Sequence, residues 1–305
     1  MQNTVRPRIF RDAVRLKKRR RICMNNIAAP RKSPSSHTLV RSNPVLNRLS
    51  RVTDRGASDS ATYAGIASKA TWFLLITLVG IVAQLIVKAA FASAPVWQTI
   101  TLRDTFTFTL TKTETIIVGA VLVVGFICEL LGIFAHRTVP VTGTIYSASQ
   151  GYVISFLVFK VLTGYEYLGL EALLLTVAVV LGMSWLYTSG VIQVDGKFRA
   201  VLLALIVGSI GVGLLSFLGS LIPATRPFVQ QMTQNPTITI LVDVVGLVIA
   251  ALFLISDFAM VDTCVKQRYP KEYEWSAAFG LVFTVIWIYL KILDLLMEFA
   301  GKKDD

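Results

Sequence analysis

Apolar and polar stretches alternate along the chain in the pattern of a polytopic membrane protein. Seven apolar segments are each long enough to cross a hydrocarbon core of about 30 Å, and polar loops separate them. The predicted spans are residues 71–92, 115–135, 143–163, 168–187, 199–222, 237–257 and 276–297. We therefore predict an all-α fold, with a seven-helix transmembrane domain at residues 61–298 and a short polar C-terminal tail at residues 299–305.

Residues 1–60 contain no such segment and are strongly basic, with RLKKRRR at positions 15–21. Prolines and a serine cluster in the same stretch predict a cytoplasmic tail without a packed core. Of the 30 Lys and Arg residues, 16 lie at or before Lys69, which is a positive-inside distribution. It predicts a multi-pass protein of the cell (plasma) membrane with its N-terminus in the cytoplasm. Whether translation starts at Met1 or Met24 is left open by the sequence.

The overall composition agrees with a membrane protein. The chain is 54% hydrophobic and only 16% charged, compared with about 25% charged residues in soluble domains. A net charge of +12 would suggest nucleic acid as the partner of a soluble protein. However, Phe10 is the only aromatic residue before Tyr63, so the tail lacks stacking side chains. We expect this basic tail to contact anionic lipid rather than nucleic acid.

Catalytic and cofactor signatures are missing from the sequence. The three cysteines show no metal-ligand spacing, and the chain has only two histidines, His37 and His136. Hydrolase, metalloprotease and phosphate-loop motifs do not occur in a suitable context. We therefore expect neither a cofactor nor an enzymatic reaction, and the sequence leaves the identity of any bound metal unknown.

Ionisable residues inside the predicted spans are the candidates for function, because they are costly in a bilayer and usually face a protein interior. Glu129 lies in the second span and Asp257 in the sixth, both in the half of the membrane nearer the cytoplasm. If they share a pocket, the two carboxylates would hold a proton or, when ionised, a cation. The structural alternative is that Asp257 caps a helix end and that Glu129 is protonated and hydrogen-bonded to a hydroxyl.

A second set of ionisable residues predicts a buried ion pair between the sixth and seventh spans. When these spans are folded as an antiparallel hairpin at Pro270, Asp243 lies roughly 40 Å from the turn. Lys291 and Asp294 lie about 32 and 36 Å from it, so Lys291 can meet Asp243 or Asp294. Asp257, at about 20 Å, is too close to the turn for easy contact with Lys291.

Several stretches resemble the Bax inhibitor-1/YccA family of multi-pass membrane proteins, in its bacterial branch. They are NPVLNRLSR, ATYAGIASKATWFLL, LLLTVAVVLGMSWLYTSGVI, LISDFAMVD and YEWSAAFGLVFTVIWIYLKILDLL. The resemblance covers residues 43–297. It implies a seven-helix bundle with the last helix central and, for some members, a pH-sensitive calcium leak.

In those members, an aspartate of the sixth helix pairs with an acid of the seventh. By position, the aspartate is Asp257, and the acid falls on Lys291, where this sequence departs from the pattern. The function that the resemblance implies is a calcium or cation leak with buried carboxylates as the ion or proton site. The alternative is a non-transporting regulator that binds other membrane proteins.

Overall fold

The computed structural model describes residues 60–102, 105–192 and 194–301. The predicted basic tail lies outside the described residues except for Ser60, and most of the predicted C-terminal tail also lies outside them. The described part of the chain is predominantly helical. Its helices are α1 Tyr63–Ala90, α2 Lys112–Phe134, α3 Val139–Phe156, α4 Tyr167–Thr188, α5 Gly196–Leu221, α6 Arg226–Gln234, α7 Pro236–Lys266 and α8 Tyr273–Gly301.

Six of these helices are long and apolar enough to cross a membrane: α1, α2, α4, α5, α7 and α8. This confirms the all-α, polytopic membrane class. The third predicted span forms α3, which continues into one π-helical turn at Leu157–Val161. α3 buries the polar residues Thr142, Ser147, Ser149 and Ser155, and is less apolar than the other long helices. A total of seven crossings remains a prediction.

Polar side chains fix where several helices begin, because the first backbone N–H groups of a helix have no partner within it. Thr62 accepts a hydrogen bond from the backbone N–H of Gly65 at the start of α1. Asn235 accepts from the second and third residues of α7, and Asp195 accepts from a residue in the first turn of α5. The long apolar segments therefore have defined ends.

The last helix, α8, has neighbours on several sides. It packs against α7, α1, α4 and α3, and it buries more of its length than any other candidate span in the described chain. Ile288 and Leu293 of α8 are completely buried in the main hydrophobic cluster. This arrangement agrees with the central last helix that the family resemblance implies.

A β-hairpin joins α1 to α2 and was not predicted. Its strands are β1 Val96–Leu102 and β2 Phe106–Thr111, which pair antiparallel. The alternation of threonine with large apolar residues is a period-two signal that the helical spans obscured. Phe106 packs into the main hydrophobic cluster, so the hairpin covers one end of the bundle.

Candidate functional site

Helices α7 and α8 run antiparallel and are joined by the connection at residues 267–272. We call the half of this helix pair nearer the connection its lower half and the other its upper half. In the connection, burial raises the pKa of the Tyr269 phenol, which stays protonated and donates a hydrogen bond to Gln267. The predicted site residues of the sixth and seventh spans all lie on these two helices.

The lower half contains the site formed by Asp257 and Thr284, which we call the lower site. The Thr284 hydroxyl lies 2.5 Å from Asp257 Oδ2 and 3.1 Å from the backbone oxygen of Gly280. Its single proton can therefore go to the carboxylate or to the carbonyl. If Asp257 is ionised, Thr284 donates to it; if Asp257 is protonated, Thr284 can accept from it and donate to Gly280. The contact is compatible with both charge states.

The upper half contains Asp243, Lys291 and Asp294, which we call the upper site. Lys291 Nζ lies 3.0 Å from Asp243 Oδ1 and 3.9 Å from Asp294 Oδ2. Asp243 is only 4% exposed, whereas the side chains of Lys291 and Asp294 are 28% and 33% exposed. The structure therefore brings Asp243 and Lys291 together at the depth that the hairpin arithmetic indicates.

An apolar layer separates the two sites. Asp243 and Asp257 are 14 residues apart on α7, which corresponds to about 21 Å along the helix axis. Between them, the side chains of Ala250, Leu254 and Ile288 are completely buried. A continuous polar path along α7 and α8 therefore requires these packed residues to move.

Glu129 is the remaining predicted site residue and lies on α2. It is partly buried and interacts electrostatically with Tyr146 of α3. Within the described ranges, Glu129 makes no hydrogen bond or ion pair. The structure does not bring Glu129 into hydrogen-bond contact with Asp257, because Asp257 faces α8 whereas α2 packs mainly on α3 and the hairpin.

The structure also differs from the pairing of Asp257 with position 291 that the family resemblance implies. In that pairing, Lys291 takes the position of the family's seventh-helix acid. However, the α8 residue that contacts Asp257 is Thr284, which precedes Lys291 by seven residues, or about two helical turns. Lys291 therefore neutralises Asp243 and does not meet Asp257.

Sequence reasoning missed two further buried ion pairs. Glu274, at the start of α8, is completely buried and contacts Lys69 of α1; it also accepts from the backbone N–H and hydroxyl of Thr62. Glu114, at the start of α2, lies 2.8 Å from Lys160. The Thr111 to Glu114 spacing is a capping-box signal, so one of these acids could have been recognised from the sequence.

A third missed cluster surrounds Asp262 near the lower end of α7. Its carboxylate accepts hydrogen bonds from Tyr63 of α1, Tyr187 of α4 and Lys266 of the following turn. These contacts link three helices, which indicates a structural role for Asp262. The side chains are too far apart in sequence for a spacing argument to identify the cluster.

The described residues contain no group of three or more His, Cys, Asp or Glu side chains that could hold a metal ion by themselves. Comparison with known proteins finds a match to the family model described as Bax inhibitor 1 like, over residues 43–301. No curated protein matches the chain.

Proposed function

This chain belongs to the Bax inhibitor 1 like family, and we propose that it is a cation leak channel of ion homeostasis, controlled by protonation of Asp257. One observation carries the proposal. Asp243 and Glu274, the buried acids of α7 and α8, each contact a lysine. Asp257 instead contacts the hydroxyl of Thr284, and in the described chain it has no basic partner.

A carboxylate without a basic partner has two ways to avoid an uncompensated charge in a medium of low dielectric constant. It can take up a proton, or it can hold a cation. The two are alternatives at one carboxylate, because a protonated Asp257 no longer attracts a cation. Acid pH would therefore reduce occupancy of the lower site by cations. Calcium is the cation that the family resemblance suggests.

Glu129 is proposed as a second carboxylate of the proton or ion site. Because Glu129 has no hydrogen-bond partner among the described residues, it could also take up a proton or hold a cation. The two acids lie on different helices, so they would act at separate positions along a path rather than as a shared pair. Replacing each acid separately distinguishes these arrangements.

The packed layer of Ala250, Leu254 and Ile288 supports a gated path rather than a permanently open one. Cations could pass from the lower to the upper site only after α7 and α8 separate locally. A change in the charge of Asp257 next to this layer would alter the balance between packed and separated helices. We propose that this is how protonation controls conduction.

We place the protein in the plasma membrane with its N-terminus in the cytoplasm, because basic residues precede the first span. The second candidate function is that of a non-transporting regulator that binds other membrane proteins. The surface of α5 favours it, since only Leu202 is buried among the described side chains of this helix. Neither candidate function assigns the chain an enzymatic reaction.

The deciding experiment measures calcium flux into liposomes that contain the purified protein, from about pH 5 to about pH 8. We expect pH-dependent flux for the wild type and pH-independent flux for Asp257→Asn. Asp195→Asn is the matched control, because asparagine can still cap α5. Folded protein without flux of calcium, sodium or protons would reject the channel and favour the regulator.

A further inference from the structure

We propose that Lys291 is a tethered cation that occupies a carboxylate site formed by Asp243 and Asp294, and that a divalent cation competes with its ammonium group. The inference rests on the proposed cation path for its biological meaning, because it describes a second ion site on that path. Its test measures binding rather than flux, so the two proposals can fail separately.

The geometry of the upper site is the first argument. The Lys291 ammonium lies 3.0 Å from Asp243 Oδ1 and 3.9 Å from Asp294 Oδ2. One ammonium group is thus within ion-pair distance of two carboxylates. A divalent cation would match the charge of two ionised carboxylates, and carboxylate oxygens are the ligands that calcium prefers.

The second argument is an unused ligand atom. Asp243 is more than nine-tenths buried, and its second carboxylate oxygen, Oδ2, is buried without a hydrogen-bond partner in the described part of the chain. Such an oxygen is costly, since a buried acceptor normally finds a donor. A bound cation could contact both oxygens of Asp243, whereas Lys291 contacts only Oδ1.

The side chain of Lys291 can also move its ammonium group away from the two carboxylates. Its stem lies beside Gly246 of α7, where a Cβ atom would be 3.5 Å from Lys291 Cε and in ordinary van der Waals contact. The side chain is 28% exposed and has four rotatable carbon–carbon bonds. Asp294 is also partly exposed, so the protein does not enclose the site completely.

The other buried ion pairs do not share this arrangement. Lys160 faces the single carboxylate of Glu114, which also accepts the backbone N–H of Thr111. Lys69 faces Glu274, whose other contacts are with Thr62. Removal of Lys160 would therefore leave the single carboxylate of Glu114, which still accepts a backbone hydrogen bond. Lys160→Gln is for this reason the matched control for Lys291→Gln.

The test uses the full chain in detergent and follows terbium luminescence excited through tryptophan. Trp287 precedes Lys291 by one helical turn on α8 and serves as the local sensitiser. We expect Lys291→Gln to bind terbium at least about tenfold more tightly than the wild type, which corresponds to about 1.4 kcal/mol. Calcium should displace the terbium. Asp243→Asn combined with Lys291→Gln should remove the gain, and Lys160→Gln should match the wild type.

Folded Lys291→Gln with wild-type affinity would overturn the inference. If Lys291→Gln does not fold, the wild type is compared with Asp243→Asn. In that case weak terbium binding that the aspartate substitution abolishes supports the site, and equal binding rejects it. Binding at the upper site without any flux would reject the channel but leave this inference intact.

Discussion

The two halves of the α7–α8 pair each place an aspartate inside the helix bundle, but they give its carboxylate different partners. In the upper half, the Asp243 carboxylate is buried and neutralised by Lys291 at 3.0 Å. In the lower half, the Asp257 carboxylate is partly buried and contacts only a hydroxyl within the described structure. In the upper half, an ammonium group of the protein itself compensates the aspartate. A hydroxyl can serve either charge state, which leaves Asp257 free to exchange a proton or a cation.

This difference assigns separate roles to the two sites. Removing one partner of a buried ion pair typically lowers the free energy of unfolding by about 3 to 5 kcal/mol, because the remaining charge is uncompensated. Losing a single hydrogen bond to a hydroxyl costs about 1 kcal/mol. The upper site should therefore control how firmly α7 and α8 are held together. The lower site should control function with little effect on stability.

The largest expected effect is that of Lys291→Met. It should lower the free energy of unfolding by about 3 to 5 kcal/mol, because Asp243 would stay buried without a partner. Combining it with Asp243→Val should recover much of the loss. The measurement is a double-mutant cycle on unfolding in mixed micelles. Additive costs would show that Asp243 and Lys291 do not interact energetically.

Lys69→Met removes the lysine partner of a different buried acid, Glu274, and its cost is compared with that of Lys291→Met. Glu274 is also completely buried, but it would keep two donors from Thr62 after the lysine is removed. Asp243 would keep no donor in the described chain. We therefore expect Lys69→Met to cost roughly 1 to 3 kcal/mol in the same unfolding assay, less than Lys291→Met. An equal or larger cost would mean that hydrogen bonds from Thr62 do not compensate the charge of Glu274.

Thr284→Val tests the lower site. Valine has nearly the shape of threonine but can neither donate nor accept a hydrogen bond, so both charge states of Asp257 lose their partner. The ionised form loses more, because a hydrogen bond to a charged group is stronger than one between neutral groups. Protonation should become easier, and the pH midpoint of calcium flux should move to a higher value. We expect the free energy of unfolding to fall by only about 1 kcal/mol. Thr176→Val is the matched control, because within the described residues that buried hydroxyl donates to the carbonyl of Ala172 and to no carboxylate.

An unchanged flux midpoint in Thr284→Val, with an unchanged Thr176→Val control, would separate Asp257 from pH control. A midpoint that moves to a lower value would also contradict the proposed role of the hydroxyl. Either result would leave the stability comparison between the two halves in place.

The partners of Asp243 were within reach of sequence reasoning, and those of Asp257 were not. Asp243 and Lys291 lie on consecutive antiparallel helices, so their depths follow from the rise per residue. Depth gives no information about rotation around each helix or about which helices are neighbours. For this reason Asp257 and Glu129 lie in the same half of the predicted membrane without contacting each other. The ion pair of Lys69 with Glu274 joins the first and last long helices and was missed for the same reason.

Local sequence patterns gave the spans but not the connecting hairpin. Long apolar segments specify helices because hydrogen bonds within the segment satisfy the backbone in lipid. The polar α3 was predicted as a span of the same kind as the others, although its buried serines and threonines make it less apolar. The strands β1 and β2 were overlooked because their alternation is short and borders long helical segments.

The smallest expected stability effect is that of Asp294→Asn, and it separates stability from ion binding. Asp294 lies 3.9 Å from Lys291, beyond hydrogen-bond distance, and is 33% exposed, so its attraction to the ammonium is weaker than that of the buried Asp243. The substitution should change the free energy of unfolding by less than about 1 kcal/mol. In the Lys291→Gln background, however, it should weaken terbium binding clearly, because Asp294 would then be a cation ligand. If Asp294→Asn instead destabilises the protein as much as Lys291→Met, then Lys291 is shared equally by both aspartates. The upper site would in that case be a structural triad with no carboxylate available to a mobile cation.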